Sequence, residues 1–168
     1  DVAINGDGYF QVTLPSGETA YSRAGSFQLS ANGEIVTTDG FIVQPGITVP
    51  SDAVDITINA SGEVLVKQDG QVTETNVGQL NLAIFANEGG LLATGDNLFQ
   101  ETPASGTPTT GVPGAAGFGQ IQQGFLETSN VNVVEEITNL ITAQRAYEMN
   151  SKVIETSDQM MSTAANVR

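Results

Sequence analysis

Glycine and proline divide the chain into two parts that can fold in different ways. All 19 glycines lie at or before Gly124, and all six prolines lie at or before Pro113. Glycine tolerates backbone angles that other residues avoid, and proline lacks the amide hydrogen that a helix interior needs. We therefore expect many turns before Gly124, whereas the uninterrupted remainder can form one long helix.

Short alternating apolar segments indicate antiparallel strands in the first part of the chain. In the stretch YFQVTL, every second residue from Phe10 to Leu14 is apolar, which is typical of a half-buried strand. Four glycine-containing pairs have the composition of tight hairpin turns: Asn32-Gly33, Asp39-Gly40, Ser61-Gly62 and Asp69-Gly70. Residues 1–125 are therefore predicted to form an antiparallel β-domain, either a sandwich or a partial barrel.

Two further segments of the first part differ in composition: one is an alternating apolar stretch and the other contains only small side chains. The stretch GQLNLAIF, residues 78–85, is predicted to be one strand with Leu80, Leu82 and Ile84 on the same face. The segment 102–117 contains no side chain larger than valine. Because it can bury little apolar area against its ordering entropy, we expect a mobile, exposed loop, either a contact loop or a tolerated insertion.

The C-terminal part, residues 126–168, has the start signal and the length of a long helix. Asn132 followed by Glu135 is a helix-cap pattern, in which the Asn oxygen accepts from free backbone amides and the Glu reaches back. Glu135 and Glu136 also place negative charge in the first turn, where the helix dipole favours it. We predict a helix from Val133 to Arg168.

Apolar residues recur along this segment at a strict interval of seven: Val133, Leu140, Tyr147, Ile154 and Met161. The companion heptad position becomes polar after its first member, at Gln144, Ser151 and Asp158: Ile137, Gln144, Ser151, Asp158 and Ala165. Ile141, Ala146 and Val153 widen the apolar stripe. A period of seven sustained over five repeats is typical of coiled-coil packing. The alternative is a helix that lies back on the β-domain, but a domain of this size offers little surface for so long a helix.

This pattern favours a helix that packs against other helices, from an N-terminal segment of the same protein and from neighbouring copies. The polar companion column disfavours a two-stranded zipper and favours a larger assembly. The predicted assembly residues are Val133, Ile137, Leu140, Tyr147, Ile154 and Met161.

Composition argues against several other functions. The formal net charge is −14, from 19 acidic and five basic residues, so we expect no binding of nucleic acid or of an anionic membrane surface. The chain has no histidine and no cysteine, which excludes the common catalytic triads and the zinc sites built on those residues. The stretch NGDGYF, Asn5–Phe10, lacks the spacing of a calcium loop. We predict no enzyme, no cofactor and no metal site.

Three stretches resemble the flagellar rod and hook (axial) proteins of bacteria. The opening DVAINGDGYFQV is similar to the family's first strand. The stretch AYSRAGSFQLSANGEIVTTDGFIVQP resembles its Y-x-R-x-G-x-F, N-G-x-[LI]-V and G-x-x-V-x sequence. The stretch GFLETSNVNVVEEITNLITAQRAYEMNSKVIETSDQMM resembles the C-terminal signature, with S-N-V-N, Q-R-A-Y-E and D-Q-M. Within the family, this last stretch is most similar to the distal-rod branch; the alternatives are a hook or proximal-rod paralogue, or outside the family a secreted β-type binding module.

The resemblance implies a structural subunit that polymerises helically into a hollow shaft, with terminal helices in an inner coiled-coil layer and the β-domain outside. It implies as partners other copies, the proximal rod and hook proteins, and the surrounding P and L ring proteins. It also implies a location in the basal body, across the periplasm, and export unfolded through the flagellar type III system. Since the family has an N-terminal helical segment that this sequence lacks, we expect the native protein to carry one ahead of Asp1.

Overall fold

The computed structural model describes residues 1–128 and 132–165. These residues fall into two units, one running from Asp1 to Glu127 and the other beginning at Thr128. The first unit is built from strands and turns, and the second contains a single described helix. The predicted fold class, mainly antiparallel β with a long C-terminal helix, is confirmed.

The first unit, called the β-rich unit below, contains every described strand, and every described strand pair is antiparallel. The strands are β1 (Val2–Asn5), β2 (Tyr9–Thr13), β3 (Thr19–Ser22), β4 (Phe27–Leu29), β5 (Ile35–Thr37), β6 (Ile42–Val43), β7 (Ala53–Ile58), β8 (Glu63–Gln68), β9 (Thr75–Gln79), β10 (Leu82–Ile84), β11 (Leu92–Gly95), β12 (Leu98–Gln100), β13 (Thr109–Gly111) and β14 (Gln120–Gln123). A short 3-10 turn spans Glu88–Gly90.

The strands form three sheets. The largest has nine strands in the order β11-β12-β3-β2-β6-β5-β4, with β10 joining β2 and β13 joining β10. A three-stranded sheet has the order β7-β8-β9, and β1 pairs with β14 in a sheet of two. Strand β2 pairs with β3, β6 and β10, so it lies at the centre of the largest sheet.

The predicted turns connect neighbouring strands of these sheets. Asn32-Gly33 lies between β4 and β5, Asp39-Gly40 between β5 and β6, Ser61-Gly62 between β7 and β8, and Asp69-Gly70 between β8 and β9. All four glycines have φ between 77° and 88°, the left-handed region that residues with a Cβ avoid. The hairpins predicted from these pairs are therefore confirmed.

Strand β2 is buried on both faces, not on one as its alternation suggested. Phe10 and Val12 belong to the main apolar core, where Phe10 meets Phe27 with ring centroids 5.0 Å apart. Tyr9 and Gln11, on the opposite face, are also buried. The prediction of a half-buried strand is wrong because an aromatic cluster covers the second face.

This aromatic cluster contains Tyr9, Tyr21, Ala83 and Phe85. The Phe85 ring lies 5.9 Å from the Tyr9 ring and 4.8 Å from the Tyr21 ring, both edge to face. Edge-to-face aromatic pairs of this kind add stability beyond that expected from the apolar area they bury. Burial raises the pKa of both tyrosines, and the negative charge of Glu88 raises that of Tyr9 further. The hydroxyl groups therefore stay protonated to a higher pH than those of tyrosines in water.

The single strand predicted over residues 78–85 is in fact two strands of different sheets. Strand β9 ends at Gln79 and pairs with β8, whereas β10 begins at Leu82 and pairs with β2. Leu80, between them, donates its amide to the Gly62 carbonyl at 2.8 Å. Leu80 and Leu82 are both fully buried in the main core, so the chain crosses between two sheets there without leaving the core.

The segment 102–117 contains a strand that its composition did not indicate. Strand β13 pairs with β10, with Ala83 opposite Thr110. Ser105 is fully buried, and its hydroxyl donates to the Thr102 carbonyl at 2.9 Å. Small side chains give no alternating pattern of bulk, so sequence periodicity cannot detect such a strand. The mobility expected for this segment stays a prediction.

Substitution of Gly25 tests the close packing of strand β1 against this glycine. The Val2 amide donates to the Gly25 carbonyl at 2.9 Å, and a Cβ on Gly25 would overlap the carbonyl oxygen of Val2. Because β1 would have to move, we expect Gly25→Ala to lower the free energy of unfolding of the β-rich unit by about 2–3 kcal/mol. Urea unfolding followed by the near-ultraviolet signal of the tyrosines measures this.

The matched control is Gly89→Ala. A Cβ there would have Asn87 Oδ1 as its nearest neighbour, at an unstrained 3.5 Å. The change in unfolding free energy should stay within about 0.5 kcal/mol. Equal effects of the two substitutions would contradict the seating of β1 against Gly25.

Candidate functional site

The second unit contains the helix α1, Val133–Ala165, of 33 residues. At roughly 1.5 Å per residue its length is about 50 Å. This is the long C-terminal helix that the absence of glycine and proline predicted. The last three residues of the predicted helix, 166–168, and residues 129–131 of the S-N-V-N stretch lie outside the described residues.

Asn132 lies at the start of α1 and bonds to its first turn. Its Oδ1 accepts a hydrogen bond from the Val134 amide at 3.1 Å, and its carbonyl accepts from the Glu136 amide at 3.0 Å. An Asn side chain in this place satisfies one of the free amides of a helix start. Glu135 and Glu136 lie in the first turn. The return contact expected from Glu135 stays a prediction.

None of the residues described for α1 is buried. The six residues predicted to mediate assembly have the following exposed fractions: Val133 64%, Ile137 51%, Leu140 69%, Tyr147 77%, Ile154 63% and Met161 69%. Large apolar side chains in a continuous exposed patch usually mark an interaction surface. Their role in assembly stays a prediction.

A second apolar column runs along α1 beside the first. Ala146, Val153 and Met160 recur at the interval of seven, and Val153 and Met160 are exposed. At 3.5 residues per turn this column lies about 100° around the helix from the column of Tyr147 and Ile154. Ala146 and Val153 were predicted from the sequence to widen the apolar stripe; Met160 was not, although it has the same spacing.

Three of the four residues between the two apolar columns are small, Ala143, Ser157 and Ala164, and the fourth is the polar Asn150. Arg145, Glu148, Lys152 and Glu155 lie on the opposite side of the helix, by the same angular count. The middle and end of α1 therefore have one broad face of apolar and small residues and one charged face. Small side chains between apolar columns let a neighbouring helix approach closely.

Four threonines of α1 satisfy their hydroxyl groups within the helix. The side chains of Thr138, Thr142, Thr156 and Thr163 each donate to the carbonyl four residues earlier, at 2.7–2.9 Å. A hydroxyl that already has an acceptor needs no polar partner in an interface. These threonines can therefore lie in a packed interface without leaving an unpaired polar group.

Across residues 1–128 and 132–165, no group of three acidic, histidine or cysteine side chains lies close enough together to hold a metal ion. The helix described at 133–165 is not apolar enough to cross a membrane.

Two parts of the chain match known families. Residues 3–66 match the flagellar hook protein FlgE/F/G D1 domain. Residues 122–167, which include α1, match the flagellar basal body rod FlgEFG protein C-terminal family. The chain belongs to the flagellar rod and hook protein family. The resemblance stated from the sequence motifs is thereby confirmed.

Individual members of this family match most or all of the chain. The flagellar basal-body rod protein FlgG of Caulobacter vibrioides is 60% identical over 168 residues, which cover 100% of this chain and 64% of that protein. FlgG of Agrobacterium fabrum is 55% identical over 162 residues, 96% of this chain and 62% of that protein. The flagellar hook protein FlgE of Salmonella typhimurium is 41% identical over 119 residues, 71% of this chain and 29% of that protein. The chain thus spans about 62–64% of the length of these two rod proteins.

Substitution of Asn132 tests the start of the helix. Asn132→Ala removes the acceptor for the Val134 amide, so we expect the helix to lose about 0.5–2 kcal/mol of stability. Far-ultraviolet circular dichroism over a temperature range should then show the helical signal lost at lower temperature.

Asn139→Ala is the matched control, because Asn139 lies within the helix and is exposed. Alanine is the better helix former there, so helicity should rise by a few tenths of a kcal/mol. If both substitutions changed helicity in the same direction, Asn132 would not act as the cap.

Proposed function

We propose that the chain is the larger part of a structural subunit of the flagellar distal rod. Such subunits polymerise helically into the hollow drive shaft that transmits torque to the hook and passes exported subunits. The observation that carries the proposal is the exposed face of α1, with two apolar columns and none of its described residues buried. The identity of 60% to a basal-body rod protein over the whole chain supports it.

The physical argument is that a drive shaft must resist twisting. Long helices laid side by side provide this stiffness through many apolar contacts along their length. Burying one Leu, Ile or Met side chain contributes about 1.5–3 kcal/mol, so a column of five supplies a substantial driving force for association. The mixed column from Ile137 to Ala165 favours an assembly of many helices over a two-stranded zipper.

We further propose that the two parts of the subunit occupy different layers of the shaft. Residues 1–125 form the outer domain, with a loop at 102–117 that is mobile outside strand β13, and residues 126–168 belong to the inner coiled-coil layer. An N-terminal helical segment of the native protein completes that layer. The greater length of the rod proteins is consistent with such a segment. The assembly residues remain Val133, Ile137, Leu140, Tyr147, Ile154 and Met161, with the helix capped by Asn132 and Glu135.

The proposed partners follow from this position in the flagellum. They are further copies of the same subunit, the proximal rod and hook proteins at either end, and the P and L ring proteins around the shaft. The subunit lies in the basal body, spans the periplasm and is exported unfolded by the flagellar type III system. A chain without cysteine suits that route, because no disulfide can form before assembly. We propose neither an enzymatic role nor a cofactor.

The hook is the second candidate, and one observation favours it. The Salmonella hook protein is 41% identical over 71% of this chain, so the hook paralogue shares much of the same sequence. The rod proteins match 96–100% of the chain at 55–60% identity, which supports the rod over the hook. A secreted β-type binding module would not account for the apolar columns of α1.

Introducing a charge into the apolar column tests the proposal. Ile154→Asp places a carboxylate where we expect helices to pack, and an unpaired buried charge costs several kcal/mol. We expect the β-rich unit to stay folded and polymerisation to stop. Electron microscopy of basal bodies from cells expressing the variant, with circular dichroism of the purified protein, measures both.

Gln159→Asp is the matched control, because it adds the same side chain to the charged side of α1, five residues away. It should leave rod length unchanged. Complete rods built from the Ile154→Asp protein would overturn the assignment of this column, and equal loss with both variants would point to helix destabilisation instead.

A further inference from the structure

The β-rich unit brings its first and last strands together. Strands β1 and β14 pair with Val2 opposite Gln123 and Asn5 opposite Gln120. Just beyond the pair, the Gly124 amide donates to the Asp1 carbonyl at 2.9 Å. The point where the chain leaves the unit is therefore beside its first residue. Residues 124–127, called the exit stem below, continue from that point.

Arg23 lies against the end of β1 and the loop that follows it. One terminal nitrogen, Nη1, donates to the carbonyls of Gly6 at 3.2 Å and Gly8 at 3.1 Å. The other, Nη2, donates to the carbonyls of Ile4 at 3.3 Å and Gly6 at 3.2 Å. The guanidinium carbon also lies 5.8 Å from the centre of the Tyr9 ring. Charge-assisted bonds of this kind are stronger than neutral ones, and a cation over an aromatic ring adds attraction.

The third nitrogen of the same guanidinium reaches the exit stem. Arg23 Nε donates to Glu127 Oε2 at 2.9 Å, a salt bridge across 104 residues of sequence. Glu127 is the last residue of the β-rich unit. The two residues before it, Phe125 and Leu126, are exposed and add little packing to hold the stem. The pair with Arg23 is therefore its main side-chain anchor within the β-rich unit.

This arrangement accounts for the NGDGYF stretch, which matched no metal loop. Gly6 has φ 114° and Gly8 has φ 137°, backbone angles that residues with a Cβ rarely adopt. These angles allow alternate carbonyls of one short loop to converge on a single point. A guanidinium with five N–H donors in one plane can bond to all of them and still reach a carboxylate, whereas a lysine ammonium cannot.

We propose that Arg23 is the positioning residue of the exit stem. It ties Glu127 to the carbonyls of the loop from Ile4 to Gly8, and so fixes where the C-terminal segment leaves the β-rich unit. The inference rests on contacts within that unit and does not depend on the proposed rod function. The arginine of the Y-x-R-x-G-x-F sequence is thus the donor, and the glycines of NGDGYF provide the carbonyls that it binds.

Nitrogen-15 relaxation of the purified chain tests this positioning directly. We expect backbone order parameters near 0.8 at residues 125–127, falling below about 0.6 in Arg23→Gln and in Glu127→Gln. Glu127→Gln removes only the ion pair, so Gly6 and Gly8 should keep their order, whereas Arg23→Gln should loosen them too. The double variant should loosen the stem no further than Arg23→Gln alone, because both substitutions break the same contact.

Lys67→Gln is the matched control, since it removes one positive charge from an exposed position on β8. It should leave the order of residues 125–127 unchanged. Raising the salt concentration should loosen the stem of the unmodified chain, because the ion pair is partly exposed, but not that of Glu127→Gln. An exit stem already disordered in the unmodified chain, or one whose order survives Arg23→Gln, would overturn the proposal.

Discussion

The apolar side chains along one broad face of α1 are exposed in the single chain. These side chains can be buried only by contact with further helices or other partners. A helix of 33 residues gains little from backbone propensity alone, because most helical stability in proteins comes from packing an apolar face. In α1 that face is continuous over several turns, and the hydroxyl groups of the four threonines of the helix are already bonded within it. The helix is thus suited to an interface made mainly by apolar contact.

The β-rich unit differs from α1 because many of its large apolar side chains are buried within the unit itself. Strand β2 carries Phe10 and Val12 into one core and Tyr9 into another, so the central sheet is covered on both faces. Strands β1 and β14 then bring the two ends of the unit together. The β-rich unit thus buries many of its own apolar side chains, whereas α1 exposes an apolar face, and this contrast supports the proposed assembly through the helix.

Much of this organisation could be predicted from sequence, for identifiable physical reasons. Positive φ at a turn restricts the residue to glycine or a few polar types, so pairs such as Asp39-Gly40 locate hairpins locally. The long helix can likewise be predicted from the sequence, because its segment has no glycine or proline and has an apolar residue at every seventh position. The family resemblance rested on motifs at both ends of the chain, and matches at residues 3–66 and 122–167 confirm it.

The features that sequence reasoning missed depend on contacts between distant residues. Burial of Tyr9 on the second face of β2 depends on aromatic residues from distant parts of the chain, and the break after Gln79 depends on which sheet each half joins. Strand β13 consists of Thr and Gly, whose small side chains produce no periodic signal. The bond between Arg23 and Glu127 spans 104 residues and could be found only from the fold. In the helix, by contrast, Met160 was missed although its spacing was visible.

The most direct test of the central claim is electron microscopy of basal bodies isolated from cells that lack this gene. If the protein builds the distal rod and the hook is added beyond it, the shaft should stop short and carry no hook. Complete rods would contradict this prediction. If those rods lacked only the hook, the protein would be the hook paralogue, and intact hooks as well would remove the chain from the shaft altogether.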